Sequence, residues 1–228
     1  MLWLDLRLLL RHHILTVAIL VTLTYSLILL YLPASIPFRG ELMTLLLLTD
    51  PSMLGFMFVG VMVLFEKDSA TLKALVVTPL KSWQYIWSKA ISLTAIAMIC
   101  GMTMGYIGHS EGLQPLYLLF AIGYASLIFV FIGLIGVVRV HTLNQYLVLI
   151  PFCLIPLLPP VLGLFGVGET ILWYLFPTHA ILILYQASWH VVPFPDVVYA
   201  FLYPICWIAG LYFWAQKSFA IHLSFYGD

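Results

Sequence analysis

Long apolar runs separated by short polar punctuation dominate the chain. Runs at 14–32, 43–65, 90–107, 116–138, 146–167 and 197–215 reach or approach the roughly 20 residues that carry an α-helix across about 30 Å of hydrocarbon. They predict an all-α integral membrane protein with six transmembrane helices in a single transmembrane domain, 1–228. The first run exceeds a signal-peptide core and no small-residue cleavage site follows it, so it is kept as a span. Two runs are interrupted. Asp50-Pro51 falls inside the second; Asp50 suits an N-cap and Pro51 a first turn, which would start the helix there and leave 43–48 as an approach segment. Pro151, Pro156, Pro159 and Pro160 crowd the fifth, as a gate hinge or, the favoured reading, as an early end to the membrane helix.

Between the fifth and sixth runs, 170–185 is also apolar, but Pro177-Thr178-His179 splits it into halves too short to cross. Segment 169–196 is therefore expected to be a re-entrant or interfacial extracellular hairpin, tolerable where protein or water satisfies its backbone. A complete seventh span is the alternative and would put the termini on opposite sides. Ahead of the first span, 1–13 carries Trp3, Leu6, Leu9 and Leu10 with Arg7 and Arg11 one turn apart. This pattern fits an interfacial amphipathic helix or a simple charged flank. Its amphipathicity is imperfect, because Asp5 and Arg7 point to nearly opposite sides.

Composition turns the pattern into a constraint. Hydrophobic residues make up 64% of the chain and charged ones only 8%, against roughly a quarter charged in soluble domains. So few charges cannot build a water-exposed surface, and lipid must be the solvent. The net charge is zero, so only charge placement informs. With six spans, Arg7, Arg11, Lys67, Lys73, Lys81, Lys89, Arg139 and Lys217 fall on one side and Arg39 alone on the other. The excess of basic residues in cytoplasmic loops then puts both termini inside a multi-pass cell membrane protein. A seventh span would move only Lys217.

Little of this sequence suits chemistry. The cores of spans three to six hold no Asp, Glu, Lys or Arg, which argues against a proton relay and a proton-driven transporter. No HExxH, CxxC, GxSxG or phosphate loop occurs. Cys100, Cys153 and Cys206 lie in apolar runs and behave as small hydrophobes. His12-His13 diverge by about 100° on a helix and lack partner ligands, so no metal site is expected. Nothing suggests nucleic-acid binding.

One segment, 66–89, holds nearly half of the basic residues between spans two and three. Its first part can form a short helix with Leu72, Leu75 and Val76 on one face and Glu66, Ala70 and Lys73 on another. Thr78 then suits an N-cap and Pro79 a first helical residue, opening a second amphipathic helix through Trp83 and Trp87 into the third span. Two short helices at an angle make a knob suited to a socket. Ordinary cytoplasmic loops also collect Lys and interfacial Trp, so the knob by itself has a bland alternative.

Glu66, Thr71, Thr78-Pro79-Leu80, Tyr85 and Lys89, in this order between spans two and three, resemble the permease subunits of type 2 ABC transporters. The six-span plan, the amphipathic N-terminal segment and the broken stretch before the last span match as well. Ala70 stands where that family usually has glycine. The resemblance implies that 66–89 is a coupling segment docking into a separate ATP-binding cassette ATPase through Glu66, Lys67, Asp68, Thr71, Leu72, Lys73, Leu75, Thr78 and Pro79. It implies that 1–13 is a connecting helix. ATP and Mg would be bound by that ATPase, with no cofactor in this chain, and a second permease copy, identical or different, would complete the exporter within membrane lipid. The family's translocation path, lined by spans two and five at the dimer interface, would here involve Met53, Phe56, Met57 and Gly60, with Phe152 and Leu157 opposite. Such an apolar lining suits a hydrophobic or amphipathic cargo, although Met and Phe at helical spacing are also ordinary lipid-facing residues. The alternative function is a membrane scaffold that docks a cytosolic partner without transport.

Overall fold

The computed structural model describes residues 5, 9, 14–31, 33, 39–68, 82–108, 112–166, 168 and 171–224, without the side chains of 50–54, 68 and 222–224. The helices are α1 (Ile14–Tyr31), α2 (Arg39–Asp68), α3 (Ser82–Gly108), α4 (Pro115–Val137), α5 (Leu143–Leu154), α6 (Pro177–Ala187) and α7 (Phe194–Ser224), with 3-10 turns at Ile155–Leu157, Pro159–Phe165 and Ile171–Leu175. No strand occurs among the described residues. Among the described residues, four helices, α1, α3, α4 and α7, are long and apolar enough to cross a membrane. A fifth span results if α5 and its 3-10 continuation, bent by 57°, count as one. The predicted second run lies within the 30 residues of α2.

The bundle is built around α4, which packs against α2, α3, α5, α6 and α7. Its apolar window is 72% buried, against 17% for α7. Without a hydrophobic drive between helices in lipid, close packing depends on small residues that let backbones approach. Gly60 of α2 and Gly133 of α4 meet that need around Tyr146 of α5. A Cβ on Gly60 would come within 1.9 Å of the Tyr146 ring, and one on Gly133 within 2.9 Å of its hydroxyl. The hydroxyl donates to the Phe56 carbonyl at 2.8 Å, and the Phe56 and Tyr146 rings stack at 5.6 Å.

Two interrupted runs resolve differently. The helix start considered at Asp50-Pro51 is not adopted, because α2 is continuous from Arg39 to Asp68. An interior proline removes one hydrogen bond and crowds a carbonyl, at a cost of about 3 kcal/mol. A long helix packed along α4 and α3 can absorb that cost. In the fifth run four prolines act together. The α-helix ends at Leu154 and gives way to 3-10 turns that close on Gly166 at φ 73°, a 57° bend that fits both a hinge within one span and an early end to it.

The apolar stretch 170–185 is split at Phe176, which is extended, with Pro177 opening α6. The 11 residues of α6 span only about 16 Å. It is tied down at both ends: Thr178 Oγ1 donates to the Leu157 carbonyl at 2.6 Å and the Tyr185 hydroxyl to the Leu47 carbonyl at 2.8 Å.

Candidate functional site

The coupling segment expected at 66–89 is described only at its two ends, and those ends meet. Glu66 closes α2, and Lys89 sits about two turns inside α3. The Lys89 ammonium pairs with the carboxylates of both Glu66 and Asp5. The Tyr85 hydroxyl donates to Glu66 Oε2 at 2.5 Å, and the Ser88 hydroxyl donates to Asp5 Oδ2. Lys89 is 1% exposed, Asp5 2% and Glu66 5%. A charge so removed from water survives only when paired and hydrogen-bonded. Here one ammonium serves two carboxylates, and two hydroxyls meet further acceptor demand.

The order of residues explains this arrangement. Tyr85, Ser88 and Lys89 recur at three- and four-residue spacing in α3, so they share one face of that helix. Asp5 and Leu9, one turn apart, are both helical and both buried, and Leu9 belongs to the main core. The knot thus fastens three pieces of chain: the N-terminal segment, the end of α2 and the start of α3. Lys67, the next residue after Glu66, reaches the other way. Its ammonium donates to the carbonyls of Val137, Val138 and Val140 at 2.8, 3.2 and 2.9 Å, capping the C-terminal end of α4. Both the position and the charge suit the negative end of a helix.

Glu66 and Lys67 are therefore engaged inside the chain. The side chain of Asp68, and residues Thr71, Leu72, Lys73, Leu75, Thr78 and Pro79, lie outside the described residues. Of the path residues, Phe56 and Gly60 face Tyr146 in the interior of the bundle. Met57, by contrast, is 38% exposed, and Phe152 on α5 is 72% exposed. Leu157 is partly buried and packed on the core, and the side chain of Met53 lies outside the described residues.

Sequence reasoning missed Asp5 as a partner of Lys89, and it missed Tyr146. Asp5 carried a signal, since it interrupts the amphipathic pattern of 1–13 by pointing away from Arg7. A carboxylate displaced toward the apolar side needs a buried cation. Among the described residues, no three His, Cys, Asp or Glu side chains gather as a metal site.

The model of the Fluoroquinolones export permease protein family matches residues 1–224. The chain is also similar to the fluoroquinolones export permease proteins of two Mycobacterium tuberculosis strains, CDC 1551 / Oshkosh and ATCC 25618 / H37Rv. Each is 32% identical over 212 residues, covering 91% of this chain and 88% of the relative.

Proposed function

Because the chain belongs to the fluoroquinolones export permease protein family, we propose that it is the permease of an ATP-driven exporter of the type 2 ABC class. Six spans, with α2 as the second and the bent α5 as the fifth, cross the membrane with both termini cytoplasmic. Two permease copies enclose the path, and separate ATP-binding subunits, which hold ATP and Mg, dock on the segment between α2 and α3. The cargo is a flat, amphipathic aromatic compound of the fluoroquinolone kind named for the relatives.

The observation that carries this reading is the buried knot of Lys89 with Asp5 and Glu66. A transporter without a phosphate loop must receive its energy from outside the chain, and a push on 69–81 has to reach the bundle. The knot supports a rigid joint at that place, because displacing any member strands a charge away from water. Lys67 extends the joint to the end of α4, so a displacement of α2 bears on the central helix as well. In this reading Glu66 and Lys67 are positioning residues behind the docking surface. The surface itself is formed by Asp68, Thr71, Leu72, Lys73, Leu75, Thr78 and Pro79. Met57 and Phe152, the exposed members of the path set, face the cargo or the second copy.

Co-purification tests this assignment. Leu72→Asp combined with Lys73→Glu should release the ATPase subunit from the detergent-solubilised complex while the permease stays folded and membrane-inserted. Undiminished ATPase recovery would place the contact elsewhere and favour a scaffold with a different partner. The same complex should hydrolyse ATP faster when cargo is added, and the permease alone should hydrolyse none.

A further inference from the structure

At the end of the bundle opposite the ionic knot, the 3-10 turns, α6 and the start of α7 enclose a cleft of about 710 Å³. That volume lies within the roughly 300–1,000 Å³ of sites for drug-sized ligands. Its lining combines Leu164, Leu182 and Ile183 with Trp173, Tyr174 and His179; among the described residues that line it, Asp196 is the one carboxylate and none is Lys or Arg.

The aromatic wall is held in place. The Trp173 ring lies against Gly163, where a Cβ would come within 2.1 Å of it. The Tyr174 ring meets His179 edge to face at 4.7 Å and packs on Tyr199 at 5.1 Å. The Tyr199 and Tyr203 hydroxyls fix the backbone beneath, each donating at 2.6 Å, to the carbonyls of Tyr174 and Leu175 respectively. The Tyr174 hydroxyl lies 3.4 Å from Asp196 Oδ1, which brings the carboxylate to the edge of the rings. One carboxylate has about four lone-pair sites, so Asp196 can accept further donors.

We propose that this cleft binds a flat aromatic amphiphile through its protonated amine, with Asp196 taking the ammonium and Trp173 and Tyr174 taking the ring system. Aromatic faces attract cations as well as apolar rings, and the Asp196 carboxylate, with no Lys or Arg among the described lining residues, selects positive over negative groups. An anionic headgroup or free phosphate would meet only repulsion from Asp196. The inference rests on the export reading for the identity of the cargo, though not for the existence of the site. In the orientation proposed above the cleft faces outward and would hold cargo at the point of release.

Fluorescence titration of the purified permease in phosphatidylglycerol nanodiscs, without its ATPase, tests the site separately from export. Ciprofloxacin serves as the amine-bearing quinolone and nalidixic acid as the quinolone without a basic amine. Ciprofloxacin should bind more tightly, and Asp196→Asn should raise its Kd about tenfold, as loss of one charge-assisted contact implies. The same change should leave nalidixic acid unaffected or tighter. Trp173→Ala should weaken both probes, and Asp196→Glu should restore most of the ciprofloxacin affinity. Equal Kd values for wild type, Asp196→Asn and Trp173→Ala would overturn the proposal, even if the complex exports ciprofloxacin. Amine-selective binding lost in both variants would sustain it, even if no export is seen. If phosphatidylethanolamine nanodiscs abolish ciprofloxacin binding, the amine held in the membrane is the lipid's, which overturns the cargo assignment.

Discussion

The two ends of the bundle use their polar residues in opposite ways. At the α2–α3 end, Lys89 is enclosed by two carboxylates and Lys67 by three carbonyls. At the other end, Asp196, His179 and Gln186 line a cleft beside aromatic rings. Charges satisfied internally make a rigid joint, because each partner is costly to remove. Polar groups lining a cleft leave a surface that can receive a ligand. The proposed exporter, driven from one side and releasing cargo on the other, needs this division.

The largest contrast should be topological. His141 lies exposed beside the Lys67 cap, and His190 is exposed in the lining of the cleft. In a background lacking Cys100, Cys153 and Cys206, His190→Cys should react with an impermeant thiol reagent added to whole cells. His141→Cys should react only after permeabilisation. Labelling of both from outside would put the two ends on one side and remove the basis of the comparison.

Next in size is the knot itself. Lys89→Met leaves the Asp5 and Glu66 carboxylates buried without their cation, which costs about 3–5 kcal/mol. The expected result is a large loss of monodisperse protein in size-exclusion chromatography of the solubilised membrane fraction. Combining it with Asp5→Asn and Glu66→Gln should restore most of the folded protein, since matched neutral groups carry no stranded charge. That triple variant should still couple poorly to the proposed ATPase partner. Full cargo-stimulated hydrolysis in the triple variant would mean that the knot only stabilises and does not transmit.

Lys67 should matter less, because it caps a helix end that is partly exposed. Lys67→Met is expected to lower stability by about 1–3 kcal/mol, the range for a charged hydrogen-bond donor, with Lys67→Arg in between. Thermal unfolding followed by tryptophan fluorescence would measure it. A loss as large as that of Lys89→Met would make the end of α4 as much a part of the joint as Asp5.

What the sequence made legible was local. Apolar run length gave most of the spans, Pro177 divided the stretch before α7, and the proline cluster broke the α-helix of the fifth run. Each depends on neighbours along the chain. The cluster around Lys89 was not legible, because Asp5 lies 84 residues from it and only folding brings them together. Its trace was a carboxylate on the wrong face of 1–13. Pro51 misled for the converse reason: its local cost is real, but packing of α2 along α4 outweighs it. Gly60 was noticed as a path residue, yet its partner Tyr146, from a helix far along the chain, turns it inward.

The smallest expected effect belongs to the cleft. His179 lies on α6, outside the candidate spans, and burial lowers its pKa below the ordinary 6.5, with the Asp196 carboxylate opposing the shift. As pH falls through about 6.5 the unfolded chain takes up a proton before the folded one does. Stability from the neutral imidazole is therefore fully present above that value and is lost as pH drops toward the folded pKa. The ring is partly exposed, so solvent screening keeps the effect modest. Thermal unfolding of the wild type should lose more between about pH 7.5 and 5.5 than that of His179→Gln. Asp196→Asn should enlarge the wild-type loss, because it removes the group that favours the charged imidazolium. Equal losses in all three proteins would mean that Asp196 and His179 do not share one environment, and the cleft would lose the electrostatic contrast that sets it apart from the knot.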